Sequence, residues 1–295
     1  MLAHAYRIGA RLTRRCPPGL RYGIAARSTR AAYRLVPGRW EAAKQNYAAV
    51  LGLRPDDPAV VRTARRAFDN YGRMLADFFL VGDLSPEDVL SLIVAEGVEH
   101  LTEAVDAGRG AILALPHMGS WDMAGALAGV LGMPISAVAD PMPGSLDDEV
   151  VRSRSTHGLR IIPLGRNAVR AIYQVLDAGG VVALLCDLPH GPGPEVRFFG
   201  QRATVPGGPA SIAIRRQCRI VPAYVRRVTG SRYQVHVDPP LEPPPQRGKE
   251  EERRLMQTVI ERFEGFIRQH PDQWYAFWPL FQPQPPPTVV GARSG

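Results

Sequence analysis

The sequence predicts an α/β fold, in which a mostly parallel central sheet is flanked by helices and preceded by a helical N-terminal cap. Short apolar runs alternate with helical patterns in the second part of the chain, and this alternation is typical of parallel sheets covered on both faces. The first part of the chain has helical periodicity instead. The chain has 295 residues, 45% of them hydrophobic, which is enough for a sizeable core.

The predicted strands are short, mostly apolar runs, as expected for strands that are buried on both faces. They lie at residues 111–115, 135–138, 159–162, 181–185 and 220–225. Helices are predicted at residues 121–131, 146–157, 167–178, 207–217 and 249–269. Residues 232–237 alternate polar with apolar side chains, which indicates an added or edge strand. A short strand at residues 196–199 belongs to one of two interpretations of the segment that contains it.

Three regions are predicted along the chain. Residues 1–100 form the helical cap, residues 101–281 the α/β core, and residues 282–295, which are rich in proline and small side chains, a disordered tail. No apolar stretch of about 18 residues is free of charge and proline, so no membrane-spanning helix is expected. The cysteines lie far apart without a CxxC pair, which argues against a disulfide framework and a structural zinc site.

Positive charge is concentrated in two segments that contain no acidic residue. Residues 1–40 hold nine arginines and residues 198–237 hold seven, although the formal net charge of the whole chain is only +8. Such segments favour a polyanionic partner, either anionic lipid or nucleic acid. The helix predicted at residues 3–16 carries Arg7, Arg11, Arg14 and Arg15 on one face. It either lies in a membrane interface, which makes the cap a membrane-facing region, or packs on the body with its arginines in water.

A histidine follows the first predicted core strand, in the loop PHMGSWD at residues 116–122. Ligands of such sheets bind beyond the carboxyl ends of the strands. Asp122 can accept a hydrogen bond from one ring nitrogen of His117 and fix the tautomer, which leaves the other nitrogen to take a proton from a hydroxyl. In the alternative, Asp122 is a helix N-terminal residue favoured by the dipole, and His117 is an ordinary loop histidine.

A second polar segment, at residues 186–200, follows the strand predicted at 181–185 and should lie at the same sheet edge as His117. It carries Asp187, Glu195 and Arg197; in the alternative, it is a rigid turn that leads into a short strand. Other catalytic motifs are absent from the sequence, namely GxSxG, GxxxxGK[ST], GxGxxG and HExxH. The sequence therefore suggests neither a nucleophile elbow, a P-loop nor a catalytic metal.

Taken in order, the motifs resemble the HxxxxD/E family of lysophospholipid and lipid A biosynthesis acyltransferases. The matching motifs are the PHMGSWD box, Arg154 with Gly158, Asp187, Phe198-Phe199-Gly200, Pro206 with Gly208, Val221-Pro222, and HPDQW at residues 270–274. The sequence is most similar to the actinobacterial phosphatidylinositol mannoside acyltransferases, because position 122 is Asp and Glu195 stands just before the FFG motif. The FPEGTR box is absent, and the N-terminus is rich in arginine where lipid A enzymes usually carry an apolar anchor.

The resemblance implies an O-acyltransferase that moves a fatty acyl group from acyl-CoA to a hydroxyl of a membrane glycolipid, with a phosphatidylinositol mannoside as the favoured acceptor. It implies catalytic roles for His117, Asp122 and Glu195, substrate-binding roles for Arg154, Asp187 and Arg197, and no metal or cofactor. The implied partners are acyl-CoA, the glycolipid and an anionic membrane surface, with peripheral attachment at the cytoplasmic face of the plasma membrane.

Several alternatives to this function stay open. A lipid A-type or lysophospholipid acyltransferase differs only in the acceptor, and an acyl carrier protein can replace acyl-CoA as the donor. The alternative of another class is a basic nucleic-acid-binding protein, suggested by a pI of about 9.8. No recognised nucleic-acid-binding motif supports it, and regularly interleaved aromatic residues are missing from the basic segments. No nucleic acid is therefore expected as a partner.

Overall fold

The computed structural model describes residues 2–282. Its helices are α1 (Leu2–Arg15), α2 (Pro18–Arg34), α3 (Pro37–Leu51), α4 (Pro58–Leu80), α5 (Pro86–Leu92), α6 (Val98–Asp106), α7 (Trp121–Val130), α8 (Leu146–Ser155), α9 (Ala168–Asp177), α10 (Gly208–Arg216) and α11 (Lys249–Gln269). Its strands are β1 (Ile93–Glu96), β2 (Ala111–Leu115), β3 (Ile135–Ala139), β4 (Arg160–Pro163), β5 (Val181–Leu185), β6 (Glu195–Phe198), β7 (Gln201–Thr204), β8 (Arg219–Thr229) and β9 (Arg232–Val237). Apart from Gln282, the tail predicted at residues 282–295 lies outside the described residues.

The central sheet has seven strands in the order β1-β9-β8-β2-β5-β3-β4. Neighbouring strands are parallel except for β8 and β9, which form an antiparallel pair. The predicted fold class, a mostly parallel sheet flanked by helices, is confirmed. Strands β6 and β7 form a separate antiparallel hairpin.

Successive residues of the central strand β2 point into two different cores. Ile112 and Ala114 pack in the larger core, to which α9, α10 and α11 contribute. Ala111 and Leu115 pack in a second core with residues of α6 and α7. This alternation explains the unbroken apolar run of β2, because both of its faces are removed from water.

Helices α1 to α5 precede the sheet strands of the core, and α4 is in contact with α1, α2 and α3. Strand β1, at Ile93–Glu96, was not predicted; it pairs with β9 and lies before residue 100, where we place the end of the cap. That boundary stays a prediction. Among residues 2–282, no helix combines the length and the apolar character that a membrane crossing requires.

A buried ion pair joins the helical cap to the sheet. Asp77 of α4 and Arg227 of β8 are bonded through the Arg227 Nη2 and Asp77 Oδ2 atoms, and the Asp77 side chain is almost fully buried. The hydroxyl of Tyr22 on α2 donates to Asp77 Oδ1 at 2.9 Å. The Arg227 guanidinium also lies 4.5 Å from the centre of the Tyr22 ring. The cap and the sheet are therefore linked by a charge pair that has little access to water.

The Asp77→Asn variant is expected to lose about 3–5 kcal/mol of unfolding free energy, because it leaves the buried Arg227 charge without its partner. Urea denaturation followed by circular dichroism measures this loss. The matched control is Asp83→Asn, since Asp83 pairs with Arg14 at the surface and such pairs contribute about 0–1 kcal/mol. Equal losses in the two variants would contradict the stabilising role of the buried pair.

Candidate active site

His117 lies two residues beyond the end of β2, at the carboxyl edge of the parallel strands. Its side chain is 30% exposed to solvent, so a substrate can reach the imidazole. The loop that carries it passes close to β8: a Cβ atom on Gly119 would lie 1.9 Å from the carbonyl oxygen of Val225, and Gly119 has a φ of 65°. Only glycine satisfies both conditions, so the sequence of this loop fixes its path to the start of α7.

The partner of the imidazole is Asp187, which follows β5. His117 Nδ1 lies 2.6 Å from Asp187 Oδ1, and the same oxygen accepts from the backbone N–H of His117 at 3.0 Å. The register explains this contact: Leu115 pairs with Leu185, and each functional residue lies two positions beyond its strand. The expectation that the segment around Asp187 shares the sheet edge of His117 is confirmed.

The arrangement has the features of a general base with an orienting carboxylate. Asp187 is fully buried, and its second oxygen, Oδ2, accepts from the indole N–H of Trp274 at 2.6 Å. Because a carboxylate only accepts hydrogen bonds, Nδ1 of His117 carries the hydrogen in this contact. Nε2 is then the basic nitrogen, and it can take a proton from a hydroxyl in the open part of the site.

The predicted contact between Asp122 and the imidazole is wrong. Asp122 lies in the first turn of α7, and its Oδ1 atom accepts from Arg154 Nε on α8 at 2.6 Å. Both side chains are largely buried, and the Arg154 guanidinium lies 5.4 Å from the centre of the Phe78 ring. The carboxylate of Asp122 is therefore neutralised by Arg154, while the topology of the sheet supplies Asp187 to His117.

Glu195 and Arg197 lie on the β6–β7 hairpin. Glu195 Oε1 is 3.2 Å from Arg202 Nε on β7, and its side chain is about half exposed. Arg197 donates from its guanidinium to the carbonyl oxygen of Gly200 at 3.4 Å, within the same hairpin. The structure thus brings Asp187 to His117 directly, whereas the side-chain contacts of Glu195 and Arg197 stay within the hairpin. The backbone of Arg197 is bonded to Gln257 on α11.

A cavity of about 490 Å³ opens at the carboxyl ends of β3 and β4. Its wall includes acidic side chains, Asp140, Asp147 and Asp148, and two basic ones, Arg152 and Arg154. Arg154, which lines the cavity, also binds Asp122 in the first turn of α7. The lining is mixed, because apolar side chains such as Val150, Val151 and Ile161 lie beside these charged groups.

Cys186 lies between β5 and Asp187, but it is not a nucleophile. Burial and the neighbouring Asp187 raise the pKa of the Cys186 thiol well above its ordinary value. The thiol therefore stays protonated, and a protonated, buried thiol does not attack a thioester.

The chain is similar to known acyltransferases. The family profile described as bacterial lipid A biosynthesis acyltransferase matches residues 1–283. A phosphatidylinositol mannoside acyltransferase of Mycolicibacterium smegmatis is 29% identical over 285 residues, which cover 95% of this chain and 90% of that protein. A protein of the same name from Mycobacterium tuberculosis is 30% identical over 267 residues, which cover 87% of this chain and 80% of that protein.

Among solved structures, the 1-acyl-sn-glycerophosphate (LPA) acyltransferase of Thermotoga maritima is similar with a TM-score of 0.41 and 14% identity, over 81% of this chain and 98% of that chain. The family profile covers nearly the whole described sequence, and the His117 loop, Asp187 and the HPDQW segment all lie within it. The chain therefore belongs to the bacterial lipid A biosynthesis acyltransferase family and is an O-acyltransferase.

Proposed function

We propose that this enzyme transfers a fatty acyl group from acyl-CoA to a sugar hydroxyl of a phosphatidylinositol mannoside. The observation that carries the choice of acceptor is the similarity to phosphatidylinositol mannoside acyltransferases, at about 30% identity over most of both chains. The observation that carries the chemistry is the contact between Asp187 and the imidazole of His117, whose side chain is partly exposed.

In the proposed reaction, His117 Nε2 removes the proton of the acceptor hydroxyl while the hydroxyl oxygen attacks the thioester carbonyl. A C–O bond forms, and the carbonyl π electrons move onto oxygen. Asp187 stabilises the imidazolium through Nδ1–H. The tetrahedral intermediate then collapses, the C–S bond breaks, and the thiolate of CoA takes the proton from His117. The histidine returns to its starting state without a covalent acyl-enzyme.

The negative oxygen of the intermediate needs hydrogen-bond donors. We assign this role to backbone N–H groups in the first turn of α7, which begins at Trp121 in the loop of His117. The helix carries a partial positive charge at this end, which favours a developing anion. Asp122 and Arg154 act, in this proposal, by fixing the helix end through their ion pair.

The cavity near Arg154 is the proposed position of the acceptor headgroup. Carboxylates such as Asp140 and Asp148 can accept hydrogen bonds from sugar hydroxyls, and the guanidinium of Arg152 can bind the phosphodiester. Glu195 and Arg197, on the half-exposed hairpin, are proposed as further contacts for the sugar and for phosphate.

An acceptor competition tests the proposed function. Purified enzyme receives labelled palmitoyl-CoA with three acceptors: a phosphatidylinositol mannoside, a lipid A precursor and lysophosphatidic acid. We expect labelling of the mannoside together with release of one free thiol per acyl group transferred. Preferential labelling of either other acceptor would overturn the mannoside proposal. Replacing palmitoyl-CoA by palmitoyl acyl carrier protein tests the donor, and faster transfer from the carrier protein would overturn the acyl-CoA proposal.

We propose that α1 and α2 bind the enzyme to an anionic membrane, peripherally and at the cytoplasmic face, where acyl-CoA is available. Large apolar side chains on both helices are exposed, among them Ile8, Leu12, Leu20 and Ile24. Exposed arginines lie beside them in sequence, among them Arg11 and Arg15 on α1. Apolar side chains between basic ones are typical of helices that lie in the membrane interface. Helix α1 also contacts α4 and α8, so it is attached to the body of the protein.

The double variant Arg11→Glu/Arg15→Glu is expected to bind anionic vesicles at least about 30-fold more weakly, since each basic residue near the surface contributes about 1 kcal/mol. Vesicle sedimentation measures the binding, and added salt should weaken wild-type binding. The control is Arg247→Glu/Lys249→Glu, which changes the net charge equally at the exposed start of α11. Equal weakening by both double variants would indicate a general charge effect and not a specific surface.

A further inference from the structure

The HPDQW segment near the C-terminus forms a short antiparallel bridge with the His117 loop. Met118 and Trp274 are bridge partners. The backbone N–H of Gly119 donates to the carbonyl oxygen of Gln273 at 3.0 Å, and that of Tyr275 donates to the carbonyl oxygen of His117 at 2.8 Å. The backbone on both sides of Trp274 is therefore fixed relative to the proposed base.

The side chain of Trp274 binds the carboxylate of Asp187, which is the partner of His117. The residue is fully buried, and its indole N–H donates to Asp187 Oδ2 at 2.6 Å, while Oδ1 faces His117. Each oxygen of the carboxylate thus has its own donor. An indole N–H can only donate a hydrogen bond, so Asp187 must be the acceptor in this contact.

Aromatic packing holds the indole in place. The centre of the Trp274 ring lies 5.6 Å from that of Phe198 and 6.1 Å from that of Tyr47, in edge-to-face geometry. The Tyr47 hydroxyl also donates to the backbone carbonyl of Trp274. The indole cannot turn away from Asp187 without disturbing both aromatic neighbours, so its donor is pre-organised.

We propose that Trp274 is a positioning residue of the active site, which acts on His117 through Asp187. This inference rests on the proposed role of His117 as the general base. Without the indole donor, Oδ2 is a buried carboxylate oxygen that has lost its partner, and Asp187 can rotate about its side-chain bonds to find another. The imidazole then loses its fixed orientation at the moment of proton transfer, whereas the surfaces that bind both substrates are unchanged.

The Trp274→Phe variant tests the proposal, because phenylalanine keeps an aromatic ring and removes the donor. We expect kcat to fall about 10–100-fold, the range seen when residues that orient a functional side chain are replaced. KM for both substrates should stay within about twofold, since ground-state binding is not affected. The control is Trp278→Phe, four residues along the chain, where the ring is 43% exposed and stacks with Arg39; its kcat should equal that of the wild type.

A double-mutant cycle separates a positioning role from a general packing role. In an Asp187→Asn background, Trp274→Phe should lower kcat by less than about threefold, because its effect is transmitted through the carboxylate. Wild-type kcat in Trp274→Phe would overturn the proposal, and so would an equal loss in the two backgrounds.

A measurement that leaves Trp274 in place keeps the test decisive if Trp274→Phe does not fold. In protein labelled with ¹⁵N-tryptophan, the indole proton of Trp274 should resonate downfield and move upfield in Asp187→Asn, while that of Trp278 stays in place. An unchanged Trp274 resonance would overturn the proposal. Failure of the proposed function gives a different result, since the wild-type enzyme then labels another acceptor or none of them, while the resonance still reports the bond to Asp187.

Discussion

Replacement of His117 by alanine is expected to lower kcat for acyl transfer by about 10²–10⁴-fold, the usual contribution of general base catalysis. The variant keeps Asp187 and Trp274 but has no group that can take the proton of the acceptor hydroxyl. The partly exposed imidazole contributes little to the core, so we expect the fold to be retained. KM should change little, because the loss lies in the transition state.

Two readouts measure this effect, free thiol released from palmitoyl-CoA and label transferred to the glycolipid. Circular dichroism establishes that the variant is folded. The matched control is His190→Ala, because His190 follows the same strand, β5, but is 65% exposed and lies 3.7 Å from Asp140 and not next to Asp187. A folded His117→Ala variant with a near-normal rate would contradict the assignment of the base, and a large loss in His190→Ala alone would transfer the role to that histidine.

The core strands could be predicted from the sequence because their physical cause is local. A run such as Ala111–Leu115 is apolar at every position, since both faces of β2 are buried. Strand β1 gives no such signal: Ile93 is buried, but Val94 and Glu96 are exposed, as expected at the edge of a sheet. Its pairing with β9 depends on residues 140 positions later in the chain, which local patterns do not contain.

The β6–β7 hairpin also depends on distant contacts. Its turn places Phe199 at a φ of 50°, a region in which large side chains are uncommon, followed by Gly200 at 76°. The backbone N–H of Phe199 donates to Glu264 Oε1 at 2.6 Å, and the Arg268 guanidinium lies 5.2 Å from the centre of the Phe199 ring. Both partners belong to α11, and this explains why the sequence around Phe199 did not predict β7.

The sequence predicted the histidine of the candidate site, His117, but it did not predict which carboxylate binds the imidazole. Sequence spacing favoured Asp122 because it is only five residues away, whereas Asp187 is 70 residues away. Two facts together identify Asp187: β2 and β5 are neighbours, and both side chains stand two residues beyond paired leucines. The sequence shows only that each side chain stands two residues beyond an apolar run; it shows neither the pairing of the leucines nor the order of the strands. Strand order is a global property of the fold, and it decides which carboxylate reaches the imidazole.

The strongest test of this correction is Asp187→Asn. The carboxylate accepts three hydrogen bonds, two from His117 and one from Trp274. An amide has one accepting oxygen, so in either orientation its NH₂ group faces an N–H donor. The negative charge beside the imidazolium is also lost. We therefore expect kcat to fall about 10²–10⁴-fold, as for other histidine bases deprived of their carboxylate.

The matched variant is Asp122→Asn, which makes the same chemical change at a carboxylate that contacts Arg154 and not His117. It should lower thermal stability, because Arg154 is left partly buried without its partner, but it should retain more of kcat than Asp187→Asn does. Thiol-release kinetics and thermal denaturation on both purified variants provide the comparison. If folded Asp122→Asn loses more activity than folded Asp187→Asn, then Asp122 controls the imidazole during turnover, and the dyad of His117 and Asp187 is not the catalytic pair.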